Sequence, residues 1–328
     1  MDFIPHPLLR AGDAMTIAPS FWPRQLAEFQ HTSVKRVFEV ENGISVISHC
    51  HFQQNAKEAP TLVLLHGLCG DSDSHYMIGT ARKAFAHGFN VVRTNLRNCG
   101  GGMHLTPTLY NGGLSADMIS IARQLKDEGF KEIILAGCSL GGNIVLKAAG
   151  ELGPAASDLI CGVATISPSI DLEAAVRAIE KPRNRIYERY FLRILKINIR
   201  QKALLYPELY DVSRLNKIKS IREFDDMFTA PMGGYGTAEN YYRTASSINV
   251  LPQIVVPSLI IISEDDPMVP FESFRSPALS NNSAITLIAT KHGGHAGFIH
   301  QKAEGLPLFD QFWAENRVVN FCREVMSA

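Results

Sequence analysis

The pentapeptide Gly137-Cys138-Ser139-Leu140-Gly141 sets a serine between glycines, directly after an apolar run and directly before residues of helical composition. That arrangement is the signature of a nucleophile elbow, a sharp strand-to-helix turn that presents a serine hydroxyl for attack on an acyl carbon. A serine hydroxyl is a weak nucleophile, so it needs a base to take its proton and an acid to orient that base. After the apolar run Ser258–Ser263 comes Glu264-Asp265-Asp266-Pro267-Met268-Val269-Pro270, and Asp266, set before Pro267, is the expected acid. Asp265 is the runner-up, and Asp171, after an earlier strand, is a further alternative. The base is expected at His295 in Thr290-Lys291-His292-Gly293-Gly294-His295-Ala296-Gly297-Phe298, because glycines on both sides let the loop bring the ring to Ser139. His292 sits nearer the strand end, in a packing position.

Acyl transfer also needs donors for the oxygen that becomes negative in the tetrahedral intermediate. The Leu140 amide is one candidate, at a helix N-terminus whose dipole favours negative charge. The second is the Leu68 amide in His66-Gly67-Leu68-Cys69-Gly70, where Gly67 permits a tight turn. Chemistry of this kind needs no metal and no organic cofactor. Cys138 adjoins the serine but reads as a small buried hydrophobe. The six cysteines, at 50, 69, 99, 138, 161 and 322, show no C-x-x-C pair and read as scattered free thiols.

The elements that must position these residues follow from periodicity. Val34–Val40 and Ile44–His51 alternate around Glu41-Asn42-Gly43 as an antiparallel hairpin at the sheet edge. From Thr61 strands and helices alternate: Thr61–Leu65 then a helix near His75–Ala86, Asn90–Thr94 then one near Leu114–Glu128, Ile133–Ala136 then the helix after Ser139. Further strands are predicted at Leu159–Ile166, Ser258–Ser263 and Ala284–Ala289, with a terminal helix over Leu306–Val325. The rhythm breaks between Ile166 and Ser258. The expected fold is therefore an α/β-hydrolase fold, a mostly parallel central sheet with helices on both faces. Residues 1–169 and 251–328 form its core, and residues 170–250 form a helical cap insertion.

These segments resemble the α/β-hydrolase superfamily, and within it the YheT-like hydrolases related to eukaryotic α/β-hydrolase-domain lipases and esterases. His66-Gly67-Leu68 with Ser74-His75-Tyr76 is similar to that family's H-G-L-x-G-x-x-x-S-x-Y segment, and Asn95-Leu96-Arg97-Asn98-Cys99-Gly100-Gly101 to its N-x-R-G-C-x-G loop. Gly137–Asn143 resembles its elbow, Gly293–Phe298 its G-G-H-x-G-F histidine loop, and the order Ser, Asp, His is the family's. The resemblance implies a Ser139–Asp266–His295 triad and carboxylic-ester hydrolysis through an acyl-enzyme. Asn98 stands where the family loop usually has glycine, and Asn111 where histidine is frequent; both bear on the pocket wall.

Composition narrows the partners. With 46% hydrophobic and 20% charged residues the chain reads as an ordinary soluble globular protein. Lysine plus arginine equals aspartate plus glutamate, 32 each, so no global field draws it to nucleic acid or membrane. Its N-terminus lacks a signal-peptide pattern, and no run approaches the roughly 20 apolar residues that span a bilayer, which makes the cytoplasm the expected location. In the cap, Arg185, Arg189, Arg193, Lys196 and Arg200 form a basic stripe beside an apolar one, Ile186, Tyr190, Ile194 and Ile197, with Glu180 and Glu188 neutralising part of the charge. The expected role is a helix packed on the sheet domain with a solvated basic face, and lipid contact is the alternative. Tyr235, Tyr241 and Tyr242, near Gly233-Gly234, are expected to pack the cap, with lining of a pocket as the alternative. The predicted activity is hydrolysis of short or medium acyl esters, including monoacylglycerol-type lipids. Thioester and amide hydrolysis use the same parts, and a non-catalytic ligand-binding protein is the rival from another class.

Overall fold

The computed structural model describes residues 2–24, 26–302 and 309–327. Eight strands form one sheet: β1 (Val34–Glu41), β2 (Ile44–His51), β3 (Thr61–Leu65), β4 (Asn90–Thr94), β5 (Ile133–Cys138), β6 (Gly162–Ile166), β7 (Ser258–Ser263) and β8 (Ile285–Thr290). Their order is β1-β2-β4-β3-β5-β6-β7-β8. β1 and β2 form the expected edge hairpin around Asn42-Gly43, with Gly43 at φ +73°, and β2 also runs antiparallel to β4. The other pairings are parallel.

Strands β3, β5, β6 and β7 are buried along their whole length, which their aliphatic sequences allow because helices cover both faces. The alternation is regular: Val63, Leu65, Ile133 and Leu135 face one core, and Leu62, Leu64, Ile134 and Ala136 face the other. Helices α2 (His75–Ala86) and α8 (Trp313–Ser327) cover the second, whereas α3 (Ser115–Asp127) and α4 (Leu140–Leu152) cover the first. A short helix, α1 (Gly12–Ile17), precedes them in the chain. Between β6 and β7 lie α5 (Leu172–Ile179), α6 (Arg185–Leu205), α7 (Ala238–Ala245) and shorter helical turns.

Several predicted boundaries move: β1 ends at Glu41 rather than Val40, and β5 runs on past Ala136 to Cys138. The strand expected from Leu159 begins at Gly162, because Ala156–Leu159 winds into a helical turn first. The strand expected from Ala284 runs from Ile285 to Thr290. The predicted start of the terminal helix at Leu306 lies outside the described residues.

A buried ion network fastens the N-terminal segment to the sheet domain. Arg24 reaches both carboxylate oxygens of Glu315 (2.7 and 2.6 Å), and Lys83 meets Glu315 at 2.9 Å and Asp310 at 2.5 Å. The Arg24, Lys83 and Glu315 side chains are almost fully buried, so removing the central carboxylate leaves two desolvated cations to share the half-exposed Asp310. Glu315→Gln is expected to lower the free energy of unfolding by about 3–5 kcal/mol in a urea titration. A loss below about 1 kcal/mol would show that the network relaxes into solvent.

Candidate active site

Strand order sets the place of the site before any side chain is considered. From β3 the chain steps outward to β4, and then crosses back to place β5 on the other side of β3. Loops leaving β3 and β5 therefore diverge, opening a crevice at the carboxyl ends of these strands, where ligands bind in open α/β sheets. His66–Gly70 leaves β3, and Ser139 leaves β5.

Ser139 occupies φ +53° and ψ −119°, between the last residue of β5 and the first of α4. The turn closes because its neighbours lack side chains: a Cβ on Gly137 would lie 2.4 Å from the Gly141 carbonyl oxygen, and one on Gly141 2.4 Å from that of His66. The Ser139 N–H donates to the Ile166 carbonyl (2.9 Å), and its own carbonyl accepts from Asn143 (3.1 Å) and Ser169 (3.2 Å). The backbone is thus fixed, while the hydroxyl makes no hydrogen bond among the described residues and lines an open cavity. Cys138 beside it is buried, which pushes its thiol well above the ordinary range and keeps it protonated.

His295 lines the same cavity of about 560 Å³. Its Nδ1 lies 2.8 Å from Asp266 Oδ2, and the Asp266 side chain is fully buried. The other Asp266 oxygen accepts from the amides of Met268 and Val269, both at 2.9 Å. A carboxylate with both oxygens engaged holds the imidazole in one tautomer, Nδ1 protonated and Nε2 free to accept. The alternatives do other work. Asp265 accepts from the Gly294 amide (2.9 Å) and faces His292 at 3.4 Å, bracing the loop that carries His295. Asp171 caps α5 by accepting from the Ala174 amide.

The histidine loop is held from outside the sheet as well. Thr16 Oγ1 accepts the His295 amide hydrogen (2.8 Å) and donates its own to the Gly12 carbonyl (2.7 Å). The Ala296 amide donates to Ser167 Oγ at 3.1 Å. Asp13 on α1 accepts from the Tyr187 hydroxyl of α6 at 2.9 Å, tying the two helices together. Sequence reasoning missed α1 altogether.

On the β3 side, the Gly67 amide donates to the Tyr76 hydroxyl (3.0 Å), and a Cβ on Gly67 would lie 3.1 Å from that of Ser139. The amides of Leu68 and Leu140 donate to no acceptor among the described residues. His66 fixes the loop: its Nδ1 donates to the Gly67 carbonyl (2.8 Å) and its Nε2 accepts from the Leu96 amide (3.0 Å). Asn95-Leu96-Arg97 is fixed in turn by a buried pair in which Arg97 engages both Asp117 oxygens (2.7 and 2.5 Å). The family-like motifs at 66–76 and 95–101 thus interlock through His66.

A second, smaller cavity of about 80 Å³ is lined by residues of α5, α6 and α7 and shares Leu68 with the first. Leu140, Val176, Leu195 and Phe224 make it apolar, and Asn98 lines it with a buried amide that has no partner among the described residues. Tyr241 and Tyr242, expected to pack, also line this cavity, Tyr241 accepting from the Gly112 amide (2.7 Å) and Tyr242 donating to Asp225 (2.7 Å). Burial pushes the Asp225 carboxyl up to about 6 and the Lys202 ammonium down to about 8. Among the described residues no group of three or more His, Cys, Asp or Glu is arranged to hold a metal ion.

A family model described as the alpha/beta hydrolase fold matches residues 60–301. The chain belongs to the α/β-hydrolases. The match covers every strand of this fold except the edge hairpin, together with the elbow, the acid loop and the histidine loop. This hydrolase is 32% identical, over its full length and 94% of the relative's, to YheT of Escherichia coli K12, a protein named as a candidate esterase. Three-quarters of it is 30% identical to the bovine phospholipase ABHD3, and 74% of it is 28% identical to the monoacylglycerol lipase of Saccharomyces cerevisiae. It spans 60% and 56% of those two longer relatives. In architecture it is similar to the Pyrococcus furiosus esterase Pf2001, with TM-score 0.58 at 16% identity over 99% of both chains. It is also similar to Est1E of Butyrivibrio proteoclasticus, with TM-score 0.57 at 15% identity over 90% of this chain and 99% of that one.

The buried His66 carries a testable electrostatic consequence. Burial lowers its pKa from 6.5 to about 4, so the ring stays neutral in the folded protein. Between those values the unfolded chain binds the extra proton, so the stabilisation is complete above pH 6.5 and is lost as pH falls from there through 4. Up to about 3 kcal/mol is at stake. Urea titrations across this range should show a steeper acid loss for the wild type than for His66→Asn, and parallel curves would contradict it.

Proposed function

We propose that this α/β-hydrolase cleaves carboxylic esters through an acyl-enzyme on Ser139, with His295 as base and Asp266 as its orienting acid. The observation that carries the reading is the chain of contacts from Asp266 to His295 Nδ1, at 2.8 Å, in the cavity that also exposes the strained Ser139. Ser139 Oγ attacks the carbonyl carbon while its proton passes to His295 Nε2, leaving a tetrahedral oxyanion. The unengaged amides of Leu68 and Leu140 are the proposed donors to that oxygen, which they satisfy better in the tetrahedral state than in the planar ester. Collapse breaks the ester C–O bond, and His295 returns the proton to the departing alcohol. Water then repeats the sequence on the acyl-enzyme: His295 takes its proton, the hydroxyl adds to the carbonyl, and Ser139 leaves with the proton restored.

The substrate class is read from the walls. Apolar side chains dominate both cavities, which suits an ester with short or medium acyl chains, including a monoacylglycerol-type lipid. The E. coli, bovine and yeast relatives carry the names esterase, phospholipase and monoacylglycerol lipase, which supports a lipid ester. Residues 170–250, proposed as the cap, supply much of the second cavity and so set the fit. All six cysteines are free thiols, which fits work in the reducing cytoplasm.

Hydrolysis of p-nitrophenyl esters of graded acyl length tests the reading. Ser139→Ala is expected to lower kcat by at least about a thousandfold, and Asp266→Asn by a similar factor, on the best of these esters. Equal rates for wild type and Ser139→Ala, or no turnover of any ester by the wild type, would contradict the assignment. Thr16, as a positioning residue for His295, should act on kcat rather than KM. Thr16→Val is expected to lower kcat about tenfold with KM little changed, and Thr16→Ser to restore it. An equal loss with serine would assign Thr16 a packing role.

A further inference from the structure

Exposed apolar side chains from two separate segments frame the mouth of the Ser139 cavity. Ile17 and Phe21 come from the N-terminal segment and Ile186 and Tyr190 from α6, and all four line that cavity. They are far from buried: Phe21 is 81% exposed, Ile186 66% and Tyr190 60%. Farther along α6, Ile197, Leu204 and Leu205 are exposed as well. The helix packs inward through a different stripe, Leu192, Leu195 and Ile199. Ile186, Tyr190 and Ile197, read from the sequence as one apolar stripe, therefore face outward, with Tyr190 touching only the edge of the neighbouring Phe191 ring among the aromatic contacts of the described residues.

The same outward face is strongly basic. Arg185, Arg189, Arg193 and Arg200 are exposed between the apolar residues, and neither Arg189 nor Arg193 makes an ion pair among the described residues. Residues 181–206 carry eight basic side chains and one acidic, although the chain as a whole is balanced at 32 of each sign. Of the acidic groups nearby, Asp13 is engaged, facing Arg183 at 3.4 Å and Tyr187 at 2.9 Å, and Glu188, the one acidic residue of 181–206, feels the Arg185 charge. Among the described residues no helix is long and apolar enough to cross a membrane, so any contact of this face with lipid is from one side.

We propose that this face, formed by α6 and the segment around Ile17 and Phe21, docks the cavity mouth onto an anionic phospholipid surface. The apolar side chains enter the headgroup boundary, and the interleaved arginines meet lipid phosphates. Charge alone would suit a nucleic acid equally, but a polynucleotide leaves isoleucine and leucine in contact with phosphate and water, whereas a bilayer interface takes up both kinds of side chain. Docking places the entrance to Ser139 against the surface, where an acyl ester passes from the lipid into the cavity without crossing water. The surface stands whether or not Ser139 hydrolyses esters, because binding is read without turnover.

Co-sedimentation of the full chain with phosphatidylcholine vesicles, and with vesicles containing phosphatidylglycerol, tests it. Binding is expected to be at least about tenfold stronger on the anionic vesicles, and to weaken as salt rises from about 0.05 to about 0.5 M. Arg189→Gln with Arg193→Gln should reduce it at least about tenfold, and Ile186→Ser with Tyr190→Ser should reduce it further, with thermal unfolding showing that the variants remain folded. Absence of binding to anionic vesicles at low salt would overturn the proposal, and this arm needs no variant. So would binding that is indifferent to both substitutions, or arginine-dependent binding to single-stranded RNA with none to vesicles.

Discussion

The backbone of Ser139, held at φ +53° where a side-chain-bearing residue is strained, is the constraint on which the site depends. It exists only because β5 and α4 approach so closely that Gly137 and Gly141 have no room for a Cβ. Six non-glycine residues among those described have positive φ: Cys69, Asn98, Ser139, Ser167, Ala296 and Phe298. All lie in loops beyond the carboxyl ends of β3, β4, β5, β6 and β8, along one edge of the sheet. Strain of order 1–3 kcal/mol per residue persists only where surrounding packing over-determines the conformation. Here the packing is the buried parallel sheet, whose stability is spent at the edge where the chemistry is proposed.

Each strained loop is cross-braced by another. Ser139 donates to the end of β6, Ser167 receives the Ala296 amide, and Ser263 Oγ donates to the Gly294 carbonyl (2.8 Å). Asp266 and Asp265, adjacent in sequence, both reach the histidine loop but meet different groups there: one meets the His295 ring, and the other the Gly294 amide. The result is an imidazole fixed in tautomer and position beside a serine whose only unengaged polar atom is its hydroxyl. Preorganisation of this kind lets the free energy of folding, rather than substrate binding, bear the cost of alignment.

The tight turn at Ser139 and the meeting of Asp266 with His295 were legible in the sequence because each segment is announced locally, by glycines or a proline next to an aliphatic strand. The parallel sheet was legible for the same reason, and the largest shift of a strand boundary is at the start of β6, from Leu159 to Gly162. What sequence did not reveal are contacts between distant segments. Thr16 meets the His295 amide across 279 positions and Arg24 meets Glu315 across 291, and no periodicity encodes either pair. The cap helix failed differently. Its sequence carries two apolar stripes, one with Ile186, Tyr190 and Ile197 and another with Leu192, Leu195 and Ile199, and composition alone cannot say which one meets the core.

If the strained elbow activates Ser139, a fluorophosphonate should react there selectively: the serine oxygen displaces fluoride from phosphorus as it would attack an ester carbonyl carbon, and the phosphonyl ester that forms is not readily hydrolysed. Peptide mass spectrometry of the treated protein is predicted to find the phosphonyl group on Ser139 of the wild type. In Asp266→Asn, whose histidine is no longer oriented, labelling should be at least about a hundredfold slower. Modification of Cys138 or of no residue at the elbow, or labelling at equal rates in the two proteins, would contradict the account.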